Sequence, residues 1–163
     1  MAGAIITNKA LQIGIPFLFE TPVAATGAAQ NVPILTNTTG SRLAVVSATV
    51  RAAAAANAGC NCKLQRVPSG VAVAGVGSAD VAPNLDLNTI TANTNASFTV
   101  NVPDAADASP TGTLGAEDYA AATNVIEPGE TLFAVIAAAS TGLAGALVTV
   151  YAVSVPSGTI VNV

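Results

Sequence analysis

The chain has 163 residues, enough for one domain that buries roughly two thirds of its unfolded surface without staples. Only 9% of its residues are charged, against about 25% in ordinary globular domains. The net charge of −4 and the 4% aromatic content supply neither the basic groove nor the stacking platform that nucleic acid requires, and a chain with no histidine cannot assemble a Ser-His-Asp or Cys-His catalytic set.

Residues 1–10 read as an extended arm in which Ile5 and Ile6 are the apolar anchors. This N-terminus lacks a basic segment followed by an apolar core of signal-peptide length, so the expected site of synthesis and folding is a cytoplasm. Residues 11–163 then read as one β-sandwich domain. Leu11, Ile13, Ile15, Phe17 and Phe19 alternate with Gln12, Gly14, Pro16 and Leu18, which predicts a strand over 11–19, and Pro16 marks it as an edge strand or a bent one. A small-residue connector follows, then a short strand over 32–36 interrupted by Pro33, and a turn at Asn37-Thr38-Thr39-Gly40.

SRLAVVSATVR, residues 41–51, predicts a strand with Leu43, Val45, Ser47, Thr49 and Arg51 on one face and Arg42, Ala44, Val46, Ala48 and Val50 on the other. The alanines at 52–56 suggest one helical turn, marginal at that length. CKLQRV, residues 62–67, predicts a strand paired with SRLAVVSATVR as a meander. Residues 68–87 look loop-rich, with a short strand at 71–74. Residues 88–102 alternate over their whole length, Ile90, Ala92, Thr94, Ala96, Phe98, Val100 and Val102 against Thr91, Asn93, Asn95, Ser97, Thr99 and Asn101, and predict one long strand with a Thr/Asn/Ser outer face. Residues 103–122 form a second loop, with a helical turn suggested at 119–122.

The most explicit segment is residues 125–155. Glu127-Pro128-Gly129-Glu130 is a turn, since Pro128 presets φ and Gly129 accepts a positive φ. The apolar run from Leu132 to Ile136 and the alternation of Val148, Val150, Ala152 and Ser154 against Leu147, Thr149, Tyr151, Val153 and Val155 predict two strands joined as a hairpin. No charge occurs from Thr131 to Val163, a length that would also span a bilayer as a helix. The Gly/Ser/Thr-rich middle and the missing Lys/Arg cluster favour the hairpin. A last strand is expected at 159–163. Short strands with Gly/Pro punctuation and no sustained helical period define an all-β fold, a single-domain antiparallel β-sandwich or jelly roll.

Candidate sites are few. Cys60 and Cys62 are two apart in extended chain, which disfavours a mutual disulfide; they read as reduced thiols, because a metal would need two further ligands. Asp104, Asp107, Glu117 and Asp118 lie in a Pro/Gly/Ser loop and read as solvated, where calcium would require six to eight oxygens. Gly75-Val76-Gly77 lacks the Lys-Ser/Thr of a phosphate loop. Asn37-Thr38-Thr39 and Asn95-Ala96-Ser97 match the glycosylation acceptor pattern but read as turn and strand polar residues. No catalytic residue, cofactor or metal is expected. Lys63, Arg66, Arg42 and Arg51 sit on two predicted strands, ready to meet acids of the loops or of a neighbour, and the low charge suggests a surface partly covered by copies of the chain.

The order SRLAVVSATVRA, CKLQRV, ASFTV, PGETLFAVIAA, TGLAG and ALVTVYAV over residues 41–155 resembles the β-sandwich decoration, or cement, proteins of tailed-phage capsids. The resemblance is one of texture and strand order and carries no signature motif. It implies a non-enzymatic virion protein, a homotrimer bound to the major capsid protein on the outside of the shell at capsomer junctions, with no nucleic-acid or membrane partner. In that arrangement Ile5, Ile6, Leu11 and Ile13 would be interface residues, the arm lying on the shell or adding a strand to a neighbour. A carbohydrate-binding β-sandwich on a virion or cell surface is the alternative, with only Tyr119 and Tyr151 as ring platforms and Tyr151 expected to be structural.

Overall fold

The computed structural model describes residues 16–24, 28–55, 60–100, 124–137 and 143–155. The arm at 1–10, the first part (11–15) of the strand expected over 11–19, the strand expected over 159–163, and the loop expected over 103–122 lie outside them. The described residues form nine strands: β1 (Pro16–Pro22), β2 (Gln30–Thr36), β3 (Arg42–Arg51), β4 (Asn61–Val67), β5 (Ala79–Asp86), β6 (Asn95–Ser97), β7 (Val125–Ile126), β8 (Thr131–Ile136) and β9 (Leu147–Val155). Sheet A has the order β1-β9-β3-β6, with β7 also on β3, and sheet B the order β2-β8-β4-β5. Every pairing is antiparallel.

The pairs nest: β1 with β9, β2 with β8, β3 with β6 and β7, β4 with β5. A long antiparallel ribbon wrapped into two layers gives this order, which is that of a jelly roll. The all-β sandwich expected from the sequence is therefore the fold. Its core is aliphatic, with Leu64, Leu132, Ile136, Val148 and Val150 fully buried between the layers; each such side chain contributes about 1.5–3 kcal/mol.

Several local expectations are overturned. β8 and β9 are strands, as read, but not a hairpin: β8 lies between β2 and β4 in sheet B, and β9 between β1 and β3 in sheet A. Placing these two apolar strands in different layers gives each a hydrogen-bonding neighbour on both sides. Leu143 and Ala146 are buried at the crossing, where Val23 N donates to Ala146 O (2.8 Å) and Gly145 N to Val23 O (3.1 Å). Likewise β4 does not pair with β3; the link after Arg51 changes layer. No helical turn occurs in the described part of the alanine run; Ala52 is buried and bonded to the 93–94 turn.

The long strand expected at 88–102 reduces to β6. Asn93 takes φ +63 and Thr94 Oγ1 donates to Thr91 O at 2.6 Å, so local Asn/Thr turn chemistry defeats the alternation. Conversely, 71–74 is turn and β5 is a strand that the sequence concealed. Pro83 lies where its register shifts against β4, which erases period two. β3 also departs from strict alternation. Val45 pairs with Ala152 and Ser47 with Tyr151, leaving Val46 as a bulge, so Leu43, Val45, Ala48 and Val50 are the buried set.

Each sheet edge is blunted. β1 carries Pro16 and Pro22, β2 carries Pro33 at a register shift, and β5 carries Pro83. The fourth edge is broken between β6 and β7. Prolines and bulges on edges oppose strand addition by another chain.

Candidate interaction surface

The inner rows of sheet A are Phe17, Ala152, Val45 and Phe19, Val150, Ala48. Its outer rows are Pro16, Val153, Ala44; Leu18, Tyr151, Ser47; Glu20, Thr149, Thr49; and Pro22, Leu147, Arg51. Because the bulge turns Val46 outward beside Ser47, Leu18, Tyr151 and Val46 lie in one row across β1, β9 and β3. They are 52%, 43% and 59% exposed. An apolar row crossing a sheet, with Val153 and Ala44 beside it, is a surface that favours a partner.

The bases elsewhere are mostly engaged within the fold. Arg42 Nε bonds the Glu127 carboxylate at 2.9 and 3.0 Å. Lys63 Nζ lies 2.9 Å from Asp80 Oδ1, which also accepts from Gln65 Nε2 at 2.9 Å. Arg66 Nη1 reaches Glu130 Oε2 at 3.1 Å with both side chains largely buried. That same Oε2 accepts the Glu127 amide at 2.9 Å, and Glu130 N donates to Glu127 O at 3.0 Å, so the Glu-Pro-Gly-Glu turn is closed from both ends. Gly129 there has φ +88, as its position in the sequence predicted. Glu20 and Arg51 join no ion pair among the described residues, and both are exposed.

Other sequence candidates resolve as follows. Ile5, Ile6, Leu11 and Ile13, and the acids 104, 107, 117 and 118, lie outside the described residues. Cys60 and Cys62 form no disulfide and are both fully buried; burial, and secondarily the neighbouring Cys60, pushes the Cys62 thiol up to about 12, which leaves it unreactive. Gly75 closes a turn by donating to Ala72 O at 2.8 Å, and the adjacent Ala74 amide is held by Gln65 Oε1 at 2.7 Å, so the 68–78 loop is pinned on sheet B. Asn37 is 1% exposed with its amide fully used, which closes it to glycosylation. Two clefts of about 200 Å³, one lined by Phe17, Phe19, Thr36 and Leu43 and the other by Arg51, Asn93 and Leu147, fall below the ~300 Å³ of typical small-molecule sites.

Tyr151 is a correction, since its ring stands outside the sandwich. Sequence reasoning also missed Leu18 and Val46. Leu18 was legible, because Phe17-Leu18-Phe19 is apolar on both faces of one strand. Val46 was not, since only a bulge brings it out. No described helix is long and apolar enough to cross a membrane, and Thr131–Ile136 and Leu147–Val155 of the charge-free tail are strands.

Fold and surface together define an all-β jelly roll with an apolar outer face on one sheet. Comparison with protein-family models, curated proteins and solved structures yields no match.

Proposed function

We propose that the chain is a structural virion protein that decorates the outside of a tailed-phage capsid, binding the major capsid protein at junctions between capsomers and associating with copies of itself. The observation that supports this most directly is the outer face of sheet A. A chain so poor in charge presents there a continuous row of Leu18, Tyr151 and Val46, on a rigid two-layer scaffold whose strand edges are closed to addition. Large flat faces of this kind serve contact with other protein surfaces, and repetition around a shell makes modest contacts effectively multivalent. The blunted edges argue that attachment is through faces and through residues 1–10, not through an added edge strand.

The test is co-sedimentation with undecorated tailed-phage capsids. Saturable binding to the shell is expected, and removal of residues 1–10 is expected to leave the sandwich folded while abolishing binding. Tight binding by the truncated protein would remove the arm from this account; failure of the intact chain to bind any shell would remove the capsid. The exposed Tyr151 ring favours one second reading, a carbohydrate-binding module. Selective binding on a glycan array, lost in Tyr151→Ala, would decide for it.

A further inference from the structure

We propose that the outer face of sheet A closes on the same face of a second copy, about a two-fold axis running along β9. β9 is the middle strand of this face, flanked by β1 and β3. A two-fold along it therefore sets β1 of one copy over β3 of the other and Tyr151 over Tyr151. The rows then match. Leu18 lands on Val46 and Ser47, and Pro16 on Ala44, because each pair shares a level through its β9 partner, Tyr151 or Val153.

Charge selects this orientation. Glu20 shares a level with Thr149 and Thr49, and Arg51 lies one outer-face level further along, opposite Leu147. Within one chain they are kept about 12 Å apart by two strand spacings and a two-residue rise. Across the axis the offset along the sheet falls to the rise alone, about 6.6 Å, and both side chains project toward each other into the layer spacing of about 10 Å, so their charged ends meet. The contact occurs twice by symmetry, so Glu20 and Arg51 of each copy both find partners. The other isologous arrangement, with the axis across the strands, turns the level of Arg51 onto that of Arg42 and Glu20 onto Pro16, setting like charges together. Sheets packed face to face with nearly aligned strands are a standard layer geometry, and an isologous contact needs this self-complementarity. The Val46 bulge has a use here, because bulges re-aim side chains and without it β3 would offer only Ser47 to Leu18.

The pairing goes beyond the capsid reading and does not depend on it. It is tested on the full chain without any shell, by sedimentation equilibrium over a concentration series. A monomer–dimer equilibrium is expected, with Leu18→Lys abolishing the dimer. Glu20→Arg and Arg51→Glu should each raise the dissociation constant about tenfold, and the double exchange should return it to within about twofold of the parent. All three positions changed are exposed, and an unchanged unfolding midpoint confirms the fold of each of the four variants. A monomer at every concentration, the outcome if residues 101–123 of the same chain cover the face, overturns the proposal. So does a trimer, which the resemblance to cement proteins implies, or a double exchange that fails to restore association. Shell binding with a monomeric chain would overturn the pairing and leave the capsid reading standing.

Discussion

Asn37 joins two turns that are far apart in sequence. Its Nδ2 donates to Ser41 O and Ile126 O, each at 2.9 Å, while its Oδ1 accepts from Thr39 N at 3.1 Å and Thr39 Oγ1 at 2.7 Å. Its backbone meets the Glu-Pro-Gly-Glu turn, with Gly129 N donating to Asn37 O and Asn37 N to Glu130 O. A buried side chain that satisfies several backbone groups is costly to alter. Asn37→Asp keeps the shape but sets a carboxylate oxygen against two carbonyls, and should lower the unfolding free energy by about 3 kcal/mol, read from urea denaturation. A loss under about 1 kcal/mol, the worth of one ordinary hydrogen bond, would show that the two turns are held by other contacts. From sequence, Asn37 was visible only as a turn residue; its bond to Ile126 spans 89 positions and no local pattern encodes it.

At the scale of elements, β3 carries the most specific device. Because Val45 and Ser47 pair with consecutive residues of β9, Val46 is extra to the ladder, and removing it leaves Leu43, Val45, Ala48 and Val50 inward. Deletion of Val46 should therefore yield a cooperative fold destabilised by less than about 2 kcal/mol, whereas deletion of Thr49 puts Val50 out of phase and should cost more than about 4 kcal/mol or prevent folding. Comparing the two unfolding curves checks this; equal damage from both would refute the bulge. Strand existence was mostly readable wherever one face is uniformly apolar, as in β8 and β9. It was unreadable where register shifts erase the period, as in β5, and misread where turn-forming Asn93 and Thr94 happen to alternate with apolar neighbours.

For the whole molecule, the broken edge of sheet A sets the arithmetic of the fold. Thr49 pairs with Ser97 and Leu43 with Ile126, so six residues along β3 answer to 29 on the partner side, an excess of 23 over an unbroken strand. Between the two pieces, Phe98 N donates to Ala48 O and Val45 N to Asn124 O, so both belong to one line. Excision of residues 101–123 removes that excess and should leave a jelly roll with a continuous edge strand, its melting temperature unchanged or higher because a long connection no longer has to be closed. Loss of cooperative unfolding on excision would mean that these residues belong to the core. Composition and period by themselves determined that this chain is all-β, aliphatic at its centre and poor in charge, since alternation reports which residues a strand turns inward. They did not determine which strand lies beside which. The split of β8 and β9 between layers, the transfer of β4 away from β3, and the exposed row of Leu18, Tyr151 and Val46 are decided by long-range pairing and one bulge, because backbone hydrogen bonds carry no record of their partner in the local sequence.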